Sequence, residues 1–268
     1  MSTDQPPSTA DRTDDQASSP VLRTAGLMKR FGSFTAVEDV DVEVAEGEIR
    51  SIIGPNGAGK TTLFNLFSGL VPVTEGTIEY RGVDITSASP AETTQLGLAR
   101  SFQITNIFDR LSVAENLGVA VQRNHLEELS LAETYLQPVS ELSAVNEQVE
   151  DILEEVGLYD VRERPATALS HGDKRRLELG LVLAVSADVI LLDEPTAGMA
   201  STEKRDAVEF VSETLSERTV LLVEHDVNLV MDLSDRITVL HQGRVIADGD
   251  PETIAADEGV RDAYLGGM

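Results

Sequence analysis

The sequence predicts an α/β fold in which a core of parallel strands carries an inserted helical segment. Continuous apolar runs occur at 189–192 and 220–223, a strand-like run occurs at 49–53, and segments with helical periodicity alternate with them. Such runs are typical of parallel strands buried on both faces, and parallel strands need crossover helices between them. A third observation is the long helical patterning between 113 and 164, which indicates that the insertion is helical.

Composition limits the class of protein. The 268 residues, 41% of them hydrophobic, are enough to build a large core. The absence of cysteine excludes disulfides, thiolate metal sites and a cysteine nucleophile, and it fits a cytoplasmic location. No signal-peptide pattern or membrane-spanning apolar stretch is expected, because the richest apolar stretch, 177–192, is interrupted by acidic residues.

The charge balance is strongly acidic. There are 47 acidic and 21 basic residues, which gives a formal net charge of -26. We expect no nucleic-acid partner, because a negative field repels phosphate backbones. The acidity favours the hypothesis of a halophilic protein, in which counterions of a salt-rich cytoplasm screen the self-repulsion; ordinary acidic solubility is the alternative.

The elements follow in a clear order. Residues 1–20 are polar and short of large apolar side chains, so we expect a disordered tail. Alternation at 37–44 predicts antiparallel strands, and hairpins are expected around Gly82 and Gly243. Helices are predicted over 61–70, 90–98, 145–156 and 174–187, with Gly157 ending the third.

The stretch GPNGAGKTT lies between the strand predicted at 49–53 and the helix predicted at 61–70. It comprises Gly54, Pro55, Asn56, Gly57, Ala58, Gly59, Lys60, Thr61 and Thr62. Its glycines allow backbone N–H groups to turn towards phosphate oxygens, and the start of a helix adds electrostatic attraction. In this setting Lys60 can reach the β and γ phosphates, and the Thr61 hydroxyl can bind Mg²⁺. A phosphate-binding loop is therefore predicted rather than a simple glycine-rich turn.

Two further motifs carry candidate chemistry. In VILLDEP, Asp193 and Glu194 follow an apolar strand, where the first could hold Mg²⁺ and the second could orient a water molecule. Alone, Asp193 could equally be a cap or turn residue. In LSHGD, Ser170 and Gly172 precede an apolar helix and could offer a hydroxyl and N–H groups to an anion, although a simple helix start explains the pattern as well.

Taken together, these motifs resemble those of ATP-binding-cassette (ABC) ATPases over residues 21–267. In addition to the phosphate loop and VILLDEP, Gln103 in ARSFQ matches the family's Q-loop glutamine, LSHGD matches its signature, and His225 in VEHD matches its switch histidine. Phe31 in MKRFG matches the aromatic residue that stacks on adenine, and Val37 is grouped with it as nucleotide-binding.

The resemblance implies a P-loop NTPase (RecA-like) core with an antiparallel β subdomain, all within one cassette over 21–268, and an inserted helical subdomain at about 104–168. It implies ATP and Mg²⁺ as ligands. Glu194, His225 and Gln103 are then the catalytic residues, and Thr61, Gln103 and Asp193 the metal ligands. Ser170 and Gly172 would contact the ATP of a second cassette.

Within the family, the chain is most similar to ATPases of branched-chain amino acid importers and related amide or urea importers. The similarity lies in GLARSFQITNIFDRLSVAENL, HGDKRRLELG, DEPTAGM and the ending YLGG. It implies membrane permeases, a second cassette as homo- or heterodimer partner and, indirectly, a solute-binding protein, with the chain peripheral on the cytoplasmic face of the membrane. His171, Asp173 and Ala200 depart from the commonest pattern.

Two alternatives come from other classes. A cassette ATPase outside transport, in DNA repair, chromosome structure or translation, would be expected to show a coiled-coil insertion, a tandem cassette or a basic surface. A small-molecule kinase with the same loop would need neither LSHGD nor a switch histidine.

Overall fold

The computed structural model describes residues 19–101, 107–128, 143–196, 211–212, 214–215 and 218–262. Expectations for the tail at 1–18, for Gln103 and for Ala200 lie outside these residues. Within them the chain forms two sheets and a helical layer. Across the described part of the chain, the helices are too short or too polar to cross a membrane.

The first sheet is antiparallel, as the alternation predicts. Its strand β1 (Leu22–Phe31) pairs with β2 (Phe34–Val40), β3 (Glu43–Val44) and β5 (Glu75–Tyr80), and β5 forms the predicted hairpin with β6 (Val83–Asp84). The run predicted at 37–44 is broken into two strands. At the break the Thr24 hydroxyl donates to the Val40 carbonyl and accepts the Val42 N–H, both at 2.9 Å, so these backbone groups remain satisfied.

The second sheet is parallel apart from one edge strand. Its order is β11-β10-β4-β9-β8-β7. These strands are β4 (Ile49–Ile53), β7 (Leu98–Arg100), β8 (Val189–Asp193), β9 (Thr219–Val223), β10 (Arg236–His241) and β11 (Arg244–Gly249). β10 and β11 form the second predicted hairpin, antiparallel at the edge. Because β9 lies between β4 and β8, the segments that follow these three strands meet at one edge of the sheet.

Both faces of the parallel sheet are buried, which explains its continuous apolar runs. In β8, Ile190 and Leu192 pack into the helical side, whereas Val189 and Leu191 pack into the side shared with the antiparallel sheet. Alternate residues of one strand therefore belong to two different core clusters.

The helices on the antiparallel side end earlier than the periodicity predicts. α1 (Lys60–Phe67) was expected to continue to 70, but Gly69 takes φ 68° and a Cβ there would lie 2.4 Å from the Ala88 carbonyl oxygen. α2 (Pro90–Gln95) begins with a Ser89 capping box. The prediction that this helix extends to residue 98 is wrong, because the chain turns at Gly97 (φ 100°) and then forms β7.

The helical layer consists of α3 (Val113–Glu128), α4 (Ser143–Glu155) and α5 (His171–Ala184). The predicted inner face of α4 is confirmed: Val145, Val149, Ile152, Leu153 and the following Val156 are all buried. Gly157 ends α4 with φ 67°, as predicted. α5 begins three residues earlier than expected, because Ser170 caps it by accepting the Asp173 N–H at 3.1 Å.

From residue 218 to residue 262, the described chain also contains three short helices around the parallel sheet. These are α6 (Val227–Leu233), α7 (Pro251–Ala256) and α8 (Glu258–Val260). Ile254 of α7 and Val260 of α8 are buried with Ile237 and Val239 of β10, so they cover the end of the parallel sheet that carries the hairpin.

Candidate functional site

The phosphate loop connects β4 to α1 and packs closely against the backbones of β10 and β2. A Cβ on Gly54 would lie 2.1 Å from the Leu240 carbonyl oxygen, and one on Gly59 would lie 2.5 Å from that of Ala36. The Gly243 N–H donates to the Ala58 carbonyl at 2.9 Å. Glycine is therefore required where the loop crosses β10 and β2, while Asn56 and Gly57 at its rim are exposed.

Lys60 is buried at the start of α1, and its amine points into the loop. Nζ donates to the Gly54 carbonyl at 2.6 Å and to the Pro55 carbonyl at 3.2 Å. Desolvation lowers the pKa of Lys60, against the opposing influence of the Glu194 and Asp193 charges. The cradle that only glycine fits, together with this amine, suits the binding of phosphate groups.

Asp193 is the last residue of β8, which β9 separates from β4, the strand that leads into the phosphate loop and α1. Its carboxylate forms a salt bridge with Arg100 of β7, and Arg100 also donates to the Asn65 side-chain oxygen of α1. Arg100 is 6% exposed, so the pair is largely shielded from solvent. A carboxylate on β8 and the exposed Thr61 hydroxyl on α1 are hard oxygen donors of the kind that Mg²⁺ prefers.

Glu194 adopts an unusual backbone conformation. Its φ is 49°, in the left-handed region, which costs of the order of 1–3 kcal/mol in a residue other than glycine. The Glu194 N–H donates to the Val223 carbonyl of β9 at 2.8 Å. This conformation directs the side chain towards the loop that follows β9.

His225 meets Glu194 at that position. The imidazole Nε2 lies 2.7 Å from the Glu194 Oε1, and the two side chains are 43% and 39% exposed. Both groups are therefore within reach of water. The pair joins the ends of β8 and β9, two strands that are adjacent in the sheet but distant in sequence.

Glu224 fixes the two loops that carry this pair. It is 3% exposed, and its Oε1 accepts the Thr196 N–H at 2.9 Å and the Thr196 hydroxyl at 2.6 Å. Its Oε2 accepts the His225 N–H at 3.0 Å. A buried carboxylate with this many donors is a stable anchor.

Ser170 and Gly172 lie at the exposed N-terminus of α5. The Ser170 hydroxyl donates to the Asp173 carboxylate at 2.8 Å, so its described hydrogen bonds are made within the start of its own helix. The structure does not join these residues to the phosphate loop through any contact between described residues. They present a separate, outward-facing surface.

The remaining predicted residues differ in their exposure. Phe31 at the end of β1 is 50% exposed, and the Lys29 amine lies 5.0 Å from the centre of its ring. Val37 is fully buried behind the loop, where it packs with the antiparallel sheet, so its contact with a nucleotide stays a prediction. Gln103 lies outside the described residues.

Three residues of the site were missed by sequence reasoning: Arg100, Glu224 and Arg175. Arg175 donates to the backbone carbonyls of Glu194 and Pro195 at 3.1 and 2.9 Å. Sequence could have indicated these residues by their positions: Arg100 ends a strand, Glu224 directly precedes His225, and Arg175 lies on α5, which begins in the LSHGD motif.

A glycine-rich loop between a parallel strand and a helix, with carboxylates at the end of a nearby strand, defines the class of P-loop nucleoside triphosphatases. Comparison with models of known protein families identifies the family within this class. The family model described as "ABC transporter" matches residues 37–197, and the model described as "Branched-chain amino acid ATP-binding cassette transporter" matches residues 244–268.

Curated relatives are similar in sequence over most of the chain. The high-affinity branched-chain amino acid transport ATP-binding protein BraF of Pseudomonas aeruginosa is 40% identical, covering 93% of this chain and 99% of that protein. LivG of Salmonella typhimurium, which carries the same description, is 39% identical over the same shares. The crystal structure of the ADP conformation of an ATP-binding cassette of an ABC transporter has a TM-score of 0.78 and 30% identity, covering 93% of this chain and 100% of that chain.

The chain belongs to the ABC transporter family. The family recognised from the motifs, the cassette fold and the assignment as a transport ATPase are confirmed, and the alternative of a cassette ATPase outside transport is not favoured.

Proposed function

We propose that this chain is the ATP-hydrolysing subunit of an importer for branched-chain amino acids or related amides or urea. The observation that supports this most directly is the convergence, at one edge of the parallel sheet, of the phosphate loop after β4, the two carboxylates at the end of β8 and His225 after β9. The names of the relatives and the match at 244–268 support the solute class.

In this proposal the loop and Lys60 bind the phosphates of ATP. The N–H groups of the loop donate to the oxygens of the β and γ phosphates, as does the Lys60 ammonium. An anionic partner stabilises the charged form of Lys60, whose burial otherwise disfavours it. Phe31, half exposed at the end of β1, would offer an aromatic face to the adenine ring.

The Thr61 hydroxyl and the Asp193 carboxylate would hold Mg²⁺, with Gln103 as a further predicted ligand. Bound Mg²⁺ neutralises charge on the phosphate oxygens during transfer of the γ-phosphoryl group. Arg100 holds the Asp193 carboxylate by its salt bridge and so restricts its orientation. The residues present therefore fit a magnesium nucleotide.

Glu194 would orient the attacking water and accept its proton. As the water oxygen attacks the γ phosphorus, the bond from that phosphorus to the β–γ bridging oxygen breaks, and ADP and phosphate result. His225 restrains the Glu194 carboxylate through their 2.7 Å hydrogen bond, and it would contact the γ phosphate. Gln103 is proposed to act beside them.

The outward-facing Ser170 and Gly172 would complete the site of a second cassette. Pairing places them against the ATP of the partner, which is either another copy of this chain or a related cassette. The pair would act on membrane permeases from the cytoplasmic face of the cell membrane, and a solute-binding protein would deliver the cargo. We also propose that the protein works at high salt, which its net charge of -26 supports.

The test is ATP hydrolysis by purified protein in multimolar KCl, with gel filtration in the presence of ATP. We expect Glu194→Gln to lower kcat by about a hundredfold or more, because general-base catalysis contributes roughly 10²–10⁴-fold, and to accumulate an ATP-bound dimer. Glu79→Gln is the matched control, because it removes an exposed carboxylate on β5 in the antiparallel sheet. That variant should match the wild type in turnover and elution.

Unchanged turnover in Glu194→Gln, without an ATP-dependent dimer, would contradict the proposal at its centre. Equal losses in Glu194→Gln and Glu79→Gln would point to a general effect of charge on the protein rather than to catalysis. Thermal unfolding of both variants distinguishes loss of chemistry from loss of folding.

A further inference from the structure

Arg175 links α5, which begins in the LSHGD signature and is here termed the signature helix, to the backbone of Glu194. It lies on α5, five residues after Ser170, or about 7.5 Å along the axis at 1.5 Å per residue. Its Nη2 donates to the Glu194 carbonyl at 3.1 Å and its Nε to the Pro195 carbonyl at 2.9 Å. Its Nη1 pairs with Glu178 of the same helix at 2.7 Å, which holds the guanidinium group from the other side.

These contacts act on a peptide that is not in a relaxed conformation. Glu194 has φ 49°, and a residue with a side chain leaves the left-handed region readily unless its neighbours hold it there. The Val223 carbonyl holds the Glu194 N–H at 2.8 Å, and Arg175 holds the Glu194 carbonyl. The peptide groups on both sides of Glu194 are therefore fixed, which sets the direction of its carboxylate towards His225.

The geometry of guanidinium suits this task. It is planar and rigid and presents several N–H donors in one plane, so it can bind two successive carbonyls and a carboxylate together. A lysine ammonium at this position could satisfy one of the carbonyls but not the whole set. The side chain of Arg175 is 28% exposed, so its contacts are partly shielded from water.

We infer that Arg175 is a positioning residue that holds Glu194 in its strained, active conformation and couples it to the signature helix. The inference rests on the proposed function. Ser170 at the start of α5 would contact the partner's ATP, and Arg175 on the same helix contacts the residue that would activate water in the chain's own site. A shift or tilt of α5 on pairing would thus reach Glu194 directly.

The experiment compares Arg175→Gln, Arg175→Lys and Lys174→Gln in steady-state ATP hydrolysis. We expect Arg175→Gln to lower kcat by roughly tenfold to a hundredfold with little change in KM, because misplacement of a catalytic group by about 1 Å has effects of this size. Arg175→Lys should recover part of the rate. Lys174→Gln, which removes a neighbouring positive charge from α5, should keep the wild-type rate.

A double-mutant cycle separates positioning of Glu194 from other effects. If Arg175 acts through Glu194, adding Arg175→Gln to Glu194→Gln should not reduce the single-turnover rate further. An equal fractional loss in both backgrounds would overturn the inference, as would a wild-type kcat in Arg175→Gln. Should Arg175→Gln fail to fold, Glu178→Gln replaces it, with a smaller loss of kcat in the same direction expected and no loss overturning the inference.

The outcomes also separate this inference from the proposed function. If Glu194→Gln is inactive and Arg175→Gln is fully active, only the positioning role of Arg175 fails. If Glu194→Gln keeps its turnover, the catalytic assignment itself fails, whatever Arg175 does.

Discussion

Replacing Gly59 by alanine tests how tightly the phosphate loop is held by the strands beneath it. Gly59 has φ 107°, and an added Cβ would lie 2.5 Å from the Ala36 carbonyl oxygen of β2. Gly57, two residues earlier in the same loop, also has a positive φ, 81°, but an added Cβ would have no heavy atom within 4 Å. The two glycines therefore share a conformational requirement and differ in the space around them.

The expected loss of unfolding free energy has two contributions, the backbone conformation and the steric overlap of the added Cβ. A left-handed conformation costs alanine about 1–2 kcal/mol, and this cost applies to both variants. At Gly59 the contact must also open from 2.5 Å towards the 3.4 Å of an ordinary contact. Overpacking of this kind costs about 1–3 kcal/mol. We therefore expect Gly59→Ala to reduce the free energy of unfolding by about 2–5 kcal/mol and Gly57→Ala by about 1–2 kcal/mol.

The assay is urea unfolding without nucleotide at one fixed KCl concentration, followed by circular dichroism. Leaving out nucleotide is essential, because Gly57 is exposed at the rim of the loop and a ligand there would add its own contacts. Equal destabilisation by the two substitutions would refute the steric reasoning, and so would a larger effect at Gly57. A changed m-value would instead indicate that a variant alters the unfolded state or the two-state transition.

Two further predictions concern pH and salt. Burial, with the nearby Asp188 charge, raises the pKa of Tyr80 from 10.0 to about 12, so folding favours its neutral phenol. The resulting stability, about 2–3 kcal/mol for two pH units, is present below about pH 10 and is lost as pH rises towards 12. Tyr80→Phe should therefore show a smaller alkaline decline in unfolding free energy than the wild type, and parallel declines would contradict this. The net charge of -26 predicts that the unfolding temperature rises from low to multimolar KCl, and a flat profile over that range would sink the high-salt hypothesis.

Local units were predictable from the sequence. The strand at 49–53, the loop that follows it and the start of α1 form one continuous segment. Its glycines and its apolar pattern predict the local backbone conformation without reference to the rest of the chain. The buried face of α4 and both hairpins were predicted for the same reason. The strand β7 was missed, since three residues are too few to show a period.

Long-range pairings were decided by the tertiary structure. Asp193 with Arg100, Glu194 with His225 and Arg175 with the Glu194 carbonyl each join residues from separate elements, and the order of the strands brings them together. The sequence indicated Glu194 by its own motif and His225 by resemblance, one at a time, and it left Arg175 unassigned. Periodicity and turn chemistry report what a segment prefers locally, whereas a hydrogen bond between two elements exists only once the sheet has set their distance and direction.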